Sequence, residues 1–172
     1  MPKLYEHFLS ILMLPFMVIV VIPCYLIFRI EIRQFSLGGV SDFLFYILGS
    51  FFILFGFTLM YKTIRMFHVI GKGTLAPWNP TQHLVVSGLY RYMRNPMITG
   101  VLSVIIGETL VFHSWNLFIW TGFFFVLNNV YFFFKEEPDL VKRFGENYIL
   151  YKKNVGRWIP RIKPWDLPND KL

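Results

Sequence analysis

Cysteine is almost missing from the chain: Cys24 is the only one among 172 residues. That excludes an internal disulfide and a cysteine metal cluster. The four histidines, His7, His68, His83 and His113, stand at no metal-binding spacing. Charge is scarce as well, at 16% of residues. The glycine patterns that cradle phosphates or dinucleotides are absent, as is the sharp turn that presents a nucleophilic serine. No repeat and no low-complexity tract is found. What fills the chain instead is apolar, with 55% hydrophobic and 20% aromatic residues. That composition belongs to a membrane protein. The net charge of +7 comes from 17 basic against 10 acidic residues. The bases lie beside apolar runs, which points to a membrane face with anionic lipid and away from nucleic acid.

Three uncharged runs are about long enough to cross a hydrocarbon core of about 30 Å: residues 8–28, 43–61 and 115–134. A fourth run, 97–112, is shorter and contains Glu108. His113 and Ser114 alone separate it from the next, so the two are expected to form a tight helical hairpin. The first run is too long for the apolar part of a signal peptide and has no small-residue cleavage site, so it is expected to be retained. Five Lys or Arg fall between Lys62 and Arg94, nine from Lys135 onward, two between Arg29 and Asp42, and none at the hairpin tip. The positive-inside rule then places the long link, the C-terminal tail and both termini in the cytoplasm. The expected fold class is an all-α integral membrane protein. It has about four transmembrane helices, a cytoplasmic loop and a C-terminal amphipathic helix, in one domain over residues 1–172.

Two extramembrane pieces therefore share a face. The first runs from the end of the second span to Pro96 and is punctuated by Gly71, Gly73, Pro77, Pro80 and Gly88. A short strand-like stretch, "HLVVSG", is expected in its middle. The second follows the last span. Pro138 and Asp139 suit a helix start. Leu140, Phe144, Tyr148 and Tyr151 would share one face of an amphipathic helix. The hairpin brings its two outer ends together, so Arg94–Pro96 and Glu136–Glu137 must be neighbours. An arginine there can grip a carboxylate with two parallel hydrogen bonds, and aromatic rings can sit against a sulfonium or ammonium. The plainer alternatives are that Arg91 and Arg94 anchor the topology, that Glu136 and Glu137 are a solvated charge run, and that the tyrosines form an interfacial belt. Glu108, a carboxylate inside a span, is a functional candidate by position.

"GLYRYMRNPMITG", followed after the hairpin by "EEPDLVKRFGENYILYKKNVGRWIP", resembles the isoprenylcysteine carboxyl methyltransferase and phospholipid methyltransferase superfamily. Arg94, Pro96 and Gly100 match its first motif. Glu136, Glu137, Leu140, Phe144, Gly145, Tyr148 and Tyr151 match its second. Asn95 stands where many members have histidine, and Ile98 where many have tyrosine, so no histidine base is available at position 95. The loop looks like that of bacterial members, which implies an inner membrane. The resemblance implies an enzyme that binds S-adenosylmethionine and methylates a lipid-like or small amphipathic acceptor entering from the bilayer. It implies cofactor contacts from Tyr90, Arg94, Asn95, Pro96, Gly100, Glu136, Glu137 and Tyr148. Arg94, Glu137 and Glu108 are the candidate catalytic groups. A carboxylate acceptor needs a cation such as Arg94 or Arg157, whereas an amine needs a carboxylate to take its proton. Two other classes stay open: a non-enzymatic four-span scaffold, and a nicotinamide-dependent membrane reductase with a related C-terminal pattern.

Overall fold

The computed structural model describes residues 13, 15–29, 38–70 and 84–167, with the side chains of 67–70 excepted. Residues 71–83 lie outside the described part, and so do the start of the first expected span, His7 and His83. Five helices carry the fold. Helix α1 is Met17–Arg29, α2 is Val40–Ile70, α3 is Pro96–Phe112, α4 is Trp115–Phe144 and α5 is Glu146–Asn154. No strand occurs among the described residues. The stretch 84–87 is open chain, not the expected strand. No strand edge stands beside it among the described residues, and Leu84 and Val86 pack instead on Tyr148, Tyr151 and Val155.

Two helices have the length and apolarity to cross a membrane: the Val40–Met66 part of α2, and α4. Only 22% and 17% of their apolar stretches are buried, so neither is the core helix of a soluble protein. Phe43, Phe51, Leu54, Phe118, Ile119 and Phe123 all point outward and exposed. Helices α1 and α3 are shorter and apolar.

Helices α2 and α3 meet through two pairs of glycines. Gly56 faces Gly100 and Gly49 faces Gly107, seven residues apart on each helix and so two turns apart. A Cβ on Gly56 would lie 2.5 Å from the Gly100 carbonyl oxygen, and one on Gly107 2.6 Å from that of Gly49. Small residues let the backbones touch, which is how helices gain contact where lipid removes the hydrophobic drive. Gly100 thus serves helix packing, one turn into α3 from Pro96. Ile19 of α1, Met60 of α2, Val101, Leu102, Val104 and Ile105 of α3 and Phe124 of α4 complete the core.

The hairpin between α3 and α4 is as tight as its sequence suggests. His113 takes a left-handed conformation (φ 49°) that ends α3, and the Ser114 hydroxyl accepts from the Leu117 amide at 3.4 Å to cap α4. His113 Nε2 lies 3.6 Å from Asp42 Oδ1, which ties this tip to the start of α2.

Helix α4 does not end at the charge boundary. It runs on past Phe134, so Pro138 does not begin a separate helix as the sequence suggested. A proline there would collide with the carbonyl four residues back. A wide π-type turn over Phe132–Glu136 relieves this, with the Glu137 amide reaching the Phe132 carbonyl. The turn also brings Glu137 onto the face of Phe132, and both are buried. The expected single amphipathic helix is likewise broken: Gly145 (φ 55°) separates α4 from α5. Leu140 and Phe144 nevertheless pack with Tyr148, Tyr151 and Val155 across the kink.

Candidate active site

The loop before α3 supplies the first wall. A turn of 3-10 helix over Gly88–Arg91 leads to Met93, which is buried, and then to Arg94. The Arg94 amide donates to the Gly156 carbonyl at 2.9 Å, which fixes where its side chain starts. Pro96 then opens α3 at a position that needs no amide donor. The Asn95 carbonyl accepts from the Thr99 amide and hydroxyl, at 3.0 and 2.8 Å. Its own side chain makes no cap bond.

The second wall comes from the extension of α4. Glu137 stands at the centre of a cationic cluster. Arg94 Nη1 donates to its Oε1 at 2.7 Å, and Arg157 Nη2 and Nε donate to the same oxygen at 2.5 and 3.1 Å. Lys152 Nζ lies 2.6 Å from Oε2. Arg94 also donates through Nε to the Val155 carbonyl at 3.0 Å and through Nη1 to the Tyr148 hydroxyl at 3.3 Å. The side chains of Arg94, Arg157 and Glu137 are 11%, 17% and 6% exposed, so solvent screens this cluster weakly. The pairing of residues 94–96 with 136–137 that the hairpin topology requires is therefore present.

Both glutamates lie beyond the uncharged part of α4, and their environments push them apart. Burial alone would raise Glu137, but hydrogen bonds from Lys152 and Arg157, with Arg94, outweigh it and hold the carboxyl at about 2. Glu136 is raised to about 7, first by burial and then by the charge of Glu137, with Arg157 and Arg94 pulling the other way. Glu137 is a fixed counter-ion, while Glu136 can change charge near neutrality. Burial, Tyr151 and Glu136 push the Tyr90 phenol well above its ordinary range. Tyr151 donates its hydroxyl to the Tyr90 carbonyl at 2.7 Å, which joins α5 to the loop.

Three cations face two carboxylates here, so the cluster keeps a positive excess. It suits a ligand that carries both a carboxylate and a cationic centre. Of the residues expected at the site, Tyr90, Arg94, Asn95, Pro96, Glu136, Glu137 and Tyr148 fall at this end of α3 and α4. Glu108 does not. It lies twelve residues along α3 from Pro96, about 18 Å at 1.5 Å per residue.

Asn129 was missed. Its Oδ1 accepts from Arg157 Nη1 at 3.0 Å and from the Trp158 indole at 3.1 Å, while its Nδ2 donates to the Phe125 carbonyl at 2.8 Å. The signal was available, since Asn128 and Asn129 interrupt an otherwise apolar run. Replacing Asn129 by leucine is expected to cost about 1.5–3 kcal/mol, the range for hydrogen bonds to charged groups. Denaturant titration in detergent measures this.

The arrangement joins a loop arginine before one helix of a hairpin to a glutamate pair after the other. The same region carries a family likeness: residues 44–147 match the phospholipid methyltransferase family. The chain belongs to the phospholipid methyltransferase family. No curated protein and no solved structure matches it. This family belongs to the isoprenylcysteine and phospholipid methyltransferase superfamily and implies methyl transfer at a membrane. The two long apolar helices agree with that setting. The phospholipid methyltransferase match covers Arg94, Asn129, Glu136 and Glu137 and stops at the start of α5. Tyr148, Lys152, Arg157 and Trp158 lie beyond it.

Proposed function

We propose that the chain is an S-adenosylmethionine-dependent methyltransferase acting on a lipid-like or amphipathic acceptor. The reaction is placed where α3 and α4 leave the bilayer. Helices α1 to α4 are read as four spans, with the cationic end at the cytoplasm. The observation that carries this reading is the convergence of Arg94, Arg157 and Lys152 on Glu137 with Glu136 beside them. The donor set fits the cofactor. The excess cation matches its carboxylate, and Glu136 offers a partner for its ammonium or ribose hydroxyls.

When bound, S-adenosylmethionine supplies an electrophilic methyl group on a positively charged sulfur. Arg94 and Arg157, held in place by Glu137, would offer their remaining N–H groups to the cofactor's carboxylate. The Asn95 amide can both donate and accept. Tyr90 and Tyr148 shape the wall and keep water out. The main contribution of these residues is alignment and desolvation, with no covalent intermediate on the protein. A carboxylate acceptor would need only a cation. An amine acceptor would need its proton taken, and Glu136 is the carboxylate placed and tuned for it. Glu137 is locked by three cations, and Glu108 is too far away.

Glu136 gains negative charge as the pH rises through about 7. Affinity for S-adenosylhomocysteine, which carries an ammonium group, is expected to rise across that pH, and Glu136→Gln to flatten the profile. Titrations at several pH values check this; an unchanged slope in the variant removes Glu136 from the site. The function itself is tested by transfer of a labelled methyl group from S-adenosylmethionine into a membrane lipid extract, with identification of the product.

A further inference from the structure

The path of the chain after α5 is unusual. Leaving Asn154, it runs down along α4 instead of returning to water. The Trp158 ring lies 5.4 Å from that of Phe125 and 5.7 Å from that of Phe132, and its indole donates to Asn129. The first charged residue of α4 is Lys135. At 1.5 Å per residue, Asn129 lies about 9 Å and Phe125 about 15 Å below it. Trp158 also packs against the core cluster that holds Ile19, Met60 and Val101.

This segment is fastened. The Gly156 carbonyl accepts from the Arg94 amide at 2.9 Å. The Arg161 amide donates to the Tyr92 carbonyl at 2.9 Å, and the Trp165 amide to the Arg91 carbonyl at 3.0 Å. Pro160 and Pro164 carry no amide hydrogen that would need a partner. Irregular backbone is tolerated in the hydrocarbon core only where protein covers it, so a segment as exposed as this one belongs at the interface, where water and headgroups reach its remaining polar groups. Ile159, next to Trp158, is 81% exposed, and Ile162 is 98% exposed. Arg161 donates through Nη1 to the Asn154 carbonyl, a further tie, while Lys163 is exposed beside Ile162, and a long cationic side chain can reach headgroups while its stem stays in an apolar layer.

We propose that residues 156–163 form an interfacial strap at the leaflet of the cationic end, with Ile159 and Ile162 dipping into the apolar edge of that leaflet and Lys163 at anionic headgroups. The strap rests on the reading of α4 as a span. Because Arg157 sits in the same strap and grips Glu137, lipid contact on one side is linked to the candidate site on the other.

Spin labels test it in the full chain with Cys24→Ser, reconstituted in vesicles of phosphatidylcholine and phosphatidylglycerol. Labels are attached at Ile159→Cys and Ile162→Cys, with Phe123→Cys as a control for the span and Lys153→Cys for water. The ratio of collision with oxygen to collision with a nickel chelate is expected to be several-fold higher at 159 and 162 than at 153. A ratio at 159 and 162 equal to that at 153, with 123 still in lipid, overturns the strap and leaves the span intact. If 123 also reads as water, the span reading fails and the strap falls with it.

Discussion

Glu137→Ala is expected to lose about 3–5 kcal/mol of stability, the cost of leaving buried charges without their partner. Two weakly exposed guanidinium groups and an ammonium converge on this carboxylate, and alanine would leave all three facing one another. Because the Glu137 carboxyl is depressed from 4.5 to about 2, its contribution is present in full above about pH 4.5. It is lost as the pH falls through about 2. The gap between wild type and variant should therefore shrink on acidification. Denaturant titrations in detergent at neutral and acidic pH measure it. A gap that stays constant over that range would mean that the carboxylate charge is not what holds the cluster. The variant should also fail to bind S-adenosylhomocysteine, since Arg94 and Arg157 lose the group that aims them.

Gly56→Leu is the second large effect. Its Cβ would lie 2.5 Å from the Gly100 carbonyl oxygen, 2.7 Å from Val104 Cγ2 and 2.9 Å from the Val104 amide nitrogen. Two of those three atoms are backbone, so no side-chain rotation relieves the clash. The cost should exceed the ~1–3 kcal/mol of ordinary core overpacking, because α2 and α3 must separate. Gly122→Leu, where nothing lies within 4 Å, is the control and should be nearly neutral. Equal stability of the two variants would show that the glycine pairs do not set the helix spacing. Separation of α2 from α3 would also shift Pro96 and Arg94, so loss of ligand binding should accompany loss of stability.

Much of this was readable from the chain because topology constrains it. A two-residue tip between two apolar runs forces the outer ends of those runs together, so Arg94 and Glu137 could be paired without knowing any side-chain path. The helix boundaries were less legible. Pro138 follows the rule for a helix start, but a π-type turn lets α4 continue through it, and such turns leave no simple composition signal. Gly145 matched a motif, yet its positive φ, which splits the expected amphipathic helix, depends on how α5 folds back. The seven-residue spacing of Gly49 and Gly56, and of Gly100 and Gly107, is visible in the sequence, but it gains meaning only when each pair faces the other. Asn129 acquires its role from a tail that returns along α4, a path fixed by tertiary hydrogen bonds and not by local propensity. For the same reason Arg157 emerges as a second clamp on Glu137, where the sequence offered it only as one possible partner for a carboxylate.

The most direct measurement is calorimetric titration of the purified protein and of Arg94→Ala with S-adenosylhomocysteine. Arg94 makes its contacts at the rim of the bundle and is not part of the glycine-packed core, so the variant should remain inserted. Saturable binding by the wild type and none by Arg94→Ala is the expected result. Equal affinity in both, or no binding by the wild type, would contradict a cofactor site built on Arg94 and Glu137.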